Sequence, residues 1–294
     1  MKIAILIPTR NRLTFFLSLI EKLGQETSRA PNHEFSIIAI NTGVIEYKFS
    51  KPELLIPFYY FHLPSTGYVI PRNQLLSKVD NSFDLGVFID DDEYPGVNWI
   101  QELVRPFSDP KVIAVTGPVH PDFQGYTGWM RELPLYFHNL SAQPKNPHIL
   151  GGNVALNLRK LFPIMGRNLF DMRFNSFGGE DTCLSKTIVE NFGTGSIYLN
   201  HSAVVYEYIT EDRLQQKWVI GRSRNSGRAI ATLRMSSLGR IQYVYHAMTI
   251  LKCLLKILAL ATPFSSHSVK MRFLLFRAEI FKTNAYLREI LLRK

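Results

Sequence analysis

The sequence has few cysteines and no long apolar stretch near its start, and each shortage narrows the class of protein. Its 294 residues include two cysteines, Cys183 and Cys253. The pair suggests no disulfide framework, and we interpret both as reduced thiols of a cytosolic protein. The apolar run at residues 3–7 is far too short for a signal peptide and no small-residue cleavage site follows it, so we expect a β-strand there. No internal repeat or low-complexity tract is visible, which excludes repeat architectures.

Acidic residues are scarce in the last third of the chain. Residues 213–294 contain 16 Lys and Arg against 2 Asp and Glu, whereas residues 1–212 contain 18 against 22. The net charge of +10 therefore combines a mildly acidic body with a strongly basic tail. A basic tail of this kind suits nucleic acid, a membrane surface or an anionic substrate.

Strand patterns alternate with helical patterns through the first half of the chain. The length suits one large α/β domain with an appendage, and the alternation predicts a parallel, doubly wound sheet. In such sheets ligands bind beyond the carboxyl ends of the strands. Residues 118–147 have little periodicity and predict a long substrate-binding loop region. The predicted strands are 3–7, 35–40, 54–62, 85–89 and 112–115, and the predicted helices are 13–23, 71–79 and 97–107.

Four consecutive carboxylates, Asp90, Asp91, Asp92 and Glu93, follow directly on the predicted strand at residues 85–89. Oxygen ligands suit Mg²⁺ or Mn²⁺, and a metal relieves the repulsion between carboxylates packed this closely. The cluster therefore predicts a divalent metal site at a strand end. A solvated acidic turn would give the same pattern, so these four residues alone leave both interpretations open.

A second acidic pair, Glu180 and Asp181, follows two glycines and opens a predicted helix. Carboxylates are favoured at a helix N-terminus, so the pair would be explained by capping alone. The functional interpretation is that one carboxylate caps the helix while the other points into a cleft as a general base.

Five motifs occur in order along the chain: Ile7-Pro8-Thr9-Arg10-Asn11, Gly67-Tyr68 with Arg72-Asn73, Asp90-Asp91-Asp92-Glu93, Gly151-Gly152-Asn153 and Gly179-Glu180-Asp181. Together they resemble the motifs of the inverting glycosyltransferases of family 2. The likeness extends over residues 1 to about 228, and it is greatest to the succinoglycan-type exopolysaccharide glucosyltransferases, which have runs similar to 90–95, 117–119 and 205–208. It implies a GT-A fold, the Rossmann-like, doubly wound mixed sheet of nucleotide-diphospho-sugar transferases, over residues 1–228.

This resemblance implies a role for each motif in binding a nucleotide-sugar donor, with a UDP-sugar favoured. Relatives usually have aspartate at the position of Asn41, where it accepts the uracil N3–H; an asparagine could still accept through its amide oxygen. Two arginines of the basic stretch would help to hold the diphosphate. The implied donor-binding residues are Pro8, Thr9, Arg10, Asn11, Asn41, Arg72, Asp90, Asp91, Gly151, Gly152, Asn153, Arg222 and Arg224.

Asp90 and Asp92 match the family's Asp-x-Asp motif. The resemblance implies that Asp92 binds Mn²⁺ or Mg²⁺, with Asp90 closer to the ribose, so that the metal neutralises the leaving nucleoside diphosphate. Asp181 would take the proton from the acceptor hydroxyl, and Glu180 would hydrogen-bond the acceptor sugar. Many relatives have a metal-binding histidine later in the chain; here the matching run 204–208 has Glu207, a candidate oxygen ligand. The processive synthases' Gln-x-x-Arg-Trp pattern is not matched at residues 215–218, which favours transfer of one sugar per encounter.

Residues 229–294 are predicted to form a basic, amphipathic helical tail. Lys252 and Lys256 share one helix face opposite a row of leucines, and two lysines in mid-segment argue against a membrane-spanning helix. We expect peripheral attachment to the cytoplasmic face of an anionic inner membrane, beside a lipid-linked acceptor. A helical pair packed on the domain would give the same pattern. Two other functions stay open: nucleic-acid binding by the tail, although no such motif appears and we expect none, and a catalytically silent assembly partner.

Overall fold

The computed structural model describes residues 1–49, 54–137, 148–235, 242–261 and 268–292. They group into two compact units. The first comprises residues 1–122, 137–175 and 180–208, and the second comprises 123–136, 176–179 and 209–294. The boundary predicted after residue 228 falls inside one helix of the second unit. Residues 138–147 of the predicted loop region lie outside the described residues.

In the first unit, the strands form a seven-stranded and a three-stranded sheet. Along the large sheet the order is β3-β2-β1-β4-β8-β6-β9, and along the small one it is β5-β10-β7. The first four strands of the large sheet are parallel, but β8 runs antiparallel to both β4 and β6. The strands are β1 (Lys2–Thr9), β2 (Glu34–Asn41), β3 (Phe58–His62), β4 (Leu85–Phe88), β5 (Glu93–Pro95), β6 (Ala114–Thr116), β7 (Val119–Asp122), β8 (Val154–Asn157), β9 (Ile197–Leu199) and β10 (Val205–Tyr208).

This mixed sheet confirms the GT-A prediction, and the alternation of strands and helices explains its parallel part. Residues 3–7 in β1 have no exposed surface, because both faces of a central parallel strand are covered. The reversed β8 could not be predicted from periodicity, which does not depend on strand direction. Thr9, at the end of β1, lies beside Asn41, at the end of β2.

The helices of the first unit are α1 (Leu13–Ser28), α2 (Val69–Ser77), α3 (Trp99–Val104), α4 (Leu158–Met165) and α5 (Glu180–Phe192). Helix α3 is shorter than the predicted 97–107 and continues as a 3₁₀-helix over Arg105–Ser108. The cause is Pro106, which has no backbone N–H for an α-helical hydrogen bond. Trp99 at the start of α3 and Phe16 of α1 are fully buried in the core beside the large sheet.

The second unit contains α6 (Gln216–Met235), α7 (Gln242–Ala261) and α8 (Val269–Leu292), with 3₁₀-helices at Trp129–Glu132 and Pro134–Tyr136. Its core includes Tyr136, whose ring stacks on Trp218 at 5.7 Å. A Cβ on Gly227 of α6 would collide with the backbone carbonyl of Lys282 in α8, so these two helices cross in close contact. In the part of the chain that is described, no helix is long and apolar enough to cross a membrane.

Candidate active site

The acidic cluster and the loop after β1 meet at one edge of the large sheet, because β1 and β4 are neighbouring parallel strands. The Thr9 hydroxyl donates to Asp91 Oδ2 at 2.8 Å, and the backbone N–H of Arg10 donates to the same oxygen at 3.1 Å. Asn11 follows with a left-handed φ of 58°. The first and third sequence motifs are therefore joined by direct hydrogen bonds.

Arg12 contributes a cation to this cluster. Its Nη1 lies 2.8 Å from Asp91 Oδ1 and 3.0 Å from Asp92 Oδ2. Both carboxylates are buried. Burial raises the pKa of Asp91, although Arg12 and the hydrogen bonds from Thr9 and Arg10 oppose that rise. No sequence motif indicated Arg12, since its role depends on how the chain folds back at the start of α1.

Arg72 connects the second, third, fourth and fifth motifs. From α2, its Nη1 donates to the Gly151 carbonyl at 2.8 Å, and its Nη2 lies 3.0 Å from Asp90 Oδ1. Its Nε lies 3.4 Å from Glu180 Oε1. Burial opposes the charge of this guanidinium, but Asp90 and Glu180, with other nearby carboxylates, raise its pKa. Arg72 is buried, and it holds the acidic groups together.

The lack of space around Gly152 explains why this residue is glycine. A Cβ there would collide with the Glu93 carboxylate, which accepts a hydrogen bond from the backbone N–H of Asp90 at 3.0 Å. Glu93 is buried, and its pKa is raised well above the usual value by burial and by the nearby charges of Asp90 and Glu207. The Glu93 carboxyl group therefore lies against the backbone of Gly152, a predicted donor-binding residue.

Two asparagines that were predicted to bind the donor form hydrogen bonds to other groups of the protein through both ends of their side-chain amides. Asn41 has no exposed surface; its Oδ1 accepts from the backbone of Gly43 at 2.8 Å and its Nδ2 donates to the Ile45 carbonyl at 2.8 Å. Asn153 is equally buried, with Oδ1 accepting from the Trp99 indole at 2.9 Å. Its Nδ2 donates to two backbone carbonyls in neighbouring loops. Both side chains therefore shape loops instead of lining an open pocket.

Glu180 and Asp181 form the first turn of α5 but lie in different environments. Glu180 is buried beside Arg72, and burial, together with the charge of Asp181, raises its pKa to about 7. Asp181 is half-buried, and its Oδ1 accepts from the backbone N–H of Thr182 at 2.6 Å. Asp181 therefore bonds within its own helix turn, whereas Glu180 joins the cluster around Arg72.

Glu207 lies on β10 opposite Glu93 of β5, and the turn at Asp92 is tied to the same strand, because the Asp92 carbonyl accepts from the Tyr208 N–H at 2.8 Å. Within the described ranges, no three His, Cys, Asp or Glu side chains are arranged as a preformed metal site. Asp90 is instead paired with Arg72, and Asp92 with Arg12.

Arg222 and Arg224 lie on α6 in the second unit, and both are exposed. Arg224 lies over the Phe281 ring at 5.2 Å. Residues 176–179, which precede Glu180 in the chain, also belong to this unit; there Arg228 lies over the Phe177 ring at 4.4 Å.

Known proteins are similar to this chain in sequence and in fold. Succinoglycan biosynthesis protein ExoM of Rhizobium meliloti (strain 1021) is 31% identical over 182 residues, which is 60% of this chain and 56% of that protein. The mannosyltransferase PcManGT from Pyrobaculum calidifontis, solved with GDP-Man and Mn²⁺, has a TM-score of 0.64 at 14% identity. The match covers 99% of this chain and 88% of the mannosyltransferase chain. GalNAc-T7, solved with UDP, GalNAc and Mn²⁺, has a TM-score of 0.56 at 15% identity, and the match covers 99% of this chain and 57% of the GalNAc-T7 chain.

The two structural likenesses are to glycosyltransferases and establish the fold, which is GT-A. The family model described as Glycosyl transferase family 2 matches residues 4–163, more than half of the chain. That range includes four of the five motifs, and the fifth motif is joined to them through Arg72. The chain therefore belongs to glycosyl transferase family 2.

Proposed function

We propose that this protein is an inverting, metal-dependent glycosyltransferase that moves one sugar from a nucleotide-diphosphate donor to a saccharide acceptor. The observation that carries the proposal is the cluster around Arg72, which brings Asp90 and Glu180 together at the edge where Asp91 and Asp92 also lie. The likeness to ExoM favours an acceptor in bacterial exopolysaccharide or cell-surface glycan synthesis.

The residues present fit a divalent cation. Asp92 and Asp91 are buried carboxylates that share a single cationic side chain, Arg12, so this position favours further positive charge. Magnesium-type ions are commonly held by one or two carboxylates together with substrate phosphates, so a complete cage of protein ligands is not required. We assign Asp92 and Asp90 as protein ligands, with Glu207 as a further candidate. When bound, Mn²⁺ or Mg²⁺ would neutralise the leaving diphosphate.

Asp181 is the proposed general base. It would take the proton of the acceptor hydroxyl as that oxygen attacks the anomeric carbon and the bond to the diphosphate breaks, with the electron pair leaving on the nucleoside diphosphate. Because attack comes from the opposite face, configuration inverts. Asp181 suits this task because it is half-buried, whereas Glu180 is held against Arg72 at 3.4 Å and would orient the acceptor sugar.

A UDP-sugar is the favoured donor, and a GDP-sugar is the alternative, because the structural relatives were solved with one nucleotide or the other. The proposed donor contacts come from the loop at Pro8, Thr9, Arg10 and Asn11. Asn41 would act by holding the loop at Gly43 and Ile45 in shape.

The test is a transfer assay over a panel of UDP- and GDP-sugars, with and without Mn²⁺, and with Asp92→Asn beside the wild type. We expect metal-dependent transfer or donor hydrolysis with one donor class, and loss of that activity in the variant, with circular dichroism unchanged. Full activity of Asp92→Asn, or of the wild type in excess chelator, would refute the metal role. Transfer with retained anomeric configuration would refute the single displacement.

We further propose that the second unit attaches the enzyme to an anionic membrane surface, on the cytoplasmic side where a lipid-linked acceptor would lie. Helix α7 supports this, because Leu251, Leu254, Leu255 and Leu258 are each more than half exposed. Lys252, exposed on the same helix, adds a cation at that surface. The basic face is smaller than expected from the sequence, since Lys256 and Lys282 both pair with Glu279 of α8.

Vesicle flotation tests this attachment. The wild type should float with anionic vesicles and bind neutral ones weakly, whereas a variant with Leu251, Leu254 and Leu258 changed to glutamine should stay in the soluble fraction. The matched control changes three exposed apolar residues of the first unit, Leu55, Ile164 and Met172, to glutamine. Equal flotation of the α7 variant and the wild type would exclude α7 as the attachment site.

A further inference from the structure

Arg12 lies beside the carboxylates of Asp91 and Asp92, at the proposed metal position. It precedes the first residue of α1, and its backbone N–H donates to the Tyr47 hydroxyl at 2.7 Å. From there a single nitrogen, Nη1, contacts one oxygen of Asp91 and one of Asp92, at 2.8 and 3.0 Å. One guanidinium nitrogen thus bridges two adjacent carboxylates, as a cation bound between them would.

The burial of the partners is unequal. The side chains of Asp91 and Asp92 are 5% and 3% exposed, whereas that of Arg12 is 36% exposed. A buried carboxylate is costly unless a cation balances it. Asp91 also accepts hydrogen bonds from Thr9 and from the backbone of Arg10, so its orientation is fixed independently of Arg12. The guanidinium has a route to solvent that the carboxylates lack.

We propose that Arg12 is an internal substitute cation: it neutralises Asp92 until a divalent cation binds, and it must withdraw toward solvent when the metal arrives. This inference rests on the metal role of Asp92 in the proposed function. Two cations cannot occupy the same carboxylate oxygen without strong repulsion. The affinity for metal alone is therefore lowered by the cost of breaking the Arg12 contact, which prevents tight metal binding before the donor is present.

Titration with Mn²⁺ alone, followed by calorimetry or by the electron paramagnetic resonance signal of the unbound ion, tests this directly. Arg12→Gln should bind Mn²⁺ roughly tenfold more tightly than the wild type, as expected for removal of a competing charge pair of about 1.4 kcal/mol. Arg12→Lys, which keeps the charge but has a shorter and less directional donor group, should show a smaller gain. Arg10→Gln is the matched control: it removes an equal charge two residues away, from an exposed side chain.

The outcomes separate the possibilities. If the affinity for Mn²⁺ increases clearly more in Arg12→Gln than in Arg10→Gln, the result supports the proposal that Arg12 and the metal ion compete for Asp92. Equal gains in both variants would reduce the effect to general electrostatics and overturn the inference, and so would unchanged or weaker Mn²⁺ binding in both Arg12 variants. If Arg12→Gln does not fold, the comparison of Arg12→Lys with the wild type decides. Metal-dependent transfer by the wild type would stand in any of these cases, so failure here is distinct from failure of the proposed function.

Discussion

The buried carboxyl group of Glu180 makes the stability of the protein depend on pH in a predictable direction. Its pKa in the folded protein is about 7, against an ordinary value of 4.5, because burial and the charge of Asp181 outweigh the attraction of Arg72. Between pH 4.5 and 7 the folded protein therefore keeps a proton that the unfolded chain has released. The stabilisation that the retained proton on Glu180 provides is fully present below pH 4.5, and it is lost as the pH rises through 7.

The size of the effect follows from the same two values. A tenfold change in proton affinity corresponds to about 1.4 kcal/mol. The rise in the pKa of Glu180 from 4.5 to about 7 therefore lowers the free energy of unfolding above pH 7 by about 3 kcal/mol. Glu180 is buried, so solvent screening reduces this little. In Glu180→Gln the side chain keeps its shape and never ionises. The variant should match the wild type near pH 4.5 and be more stable by about 3 kcal/mol at pH 8.

Urea unfolding of both proteins at pH 5 and pH 8, followed by circular dichroism, measures this difference. Asp181→Asn is the control from the same helix turn. Since the charge of Asp181 is the second cause of the raised pKa, that variant should weaken the pH dependence without removing it. Identical pH dependence in Glu180→Gln and the wild type would show that Glu180 ionises normally, and would refute the burial argument.

Three further predictions concern the base, the core and the helix crossing. Asp181→Asn should lower turnover roughly a hundredfold or more and leave nucleoside diphosphate affinity nearly unchanged by calorimetry; an equal loss of affinity would make Asp181 structural. Asn153→Ala should destabilise the protein by about 2–4 kcal/mol in urea unfolding, because the Trp99 indole and two backbone carbonyls lose buried partners; a change below about 0.5 kcal/mol would contradict that account. Gly227→Val should disrupt the α6–α8 crossing and lower the melting temperature, whereas Gly221→Val on the same helix, where the added Cβ meets nothing within 4 Å, serves as the control and should cost less.

Several strands and helices of the first unit, and the order of the motifs, could be predicted from the sequence. Apolar runs such as residues 3–7 and 85–89 specified buried strands, because burial on both faces requires continuous apolar residues. The motif order indicated the family, and the glutamate and aspartate after Gly179 marked the start of α5. These features depend on neighbours in the chain, which a sequence displays directly.

The pairing of the charged groups in the site depends on the tertiary structure. Arg72 is buried because α2 places it against Asp90, Gly151 and Glu180, residues distant in sequence. Arg12 matched no motif, yet it bridges Asp91 and Asp92 across 79 and 80 residues of chain. Such partners are set by the register of β1 beside β4 and by the reversed direction of β8, neither of which local periodicity encodes. The charges of the site were therefore visible in the sequence, and their pairing depended on the fold.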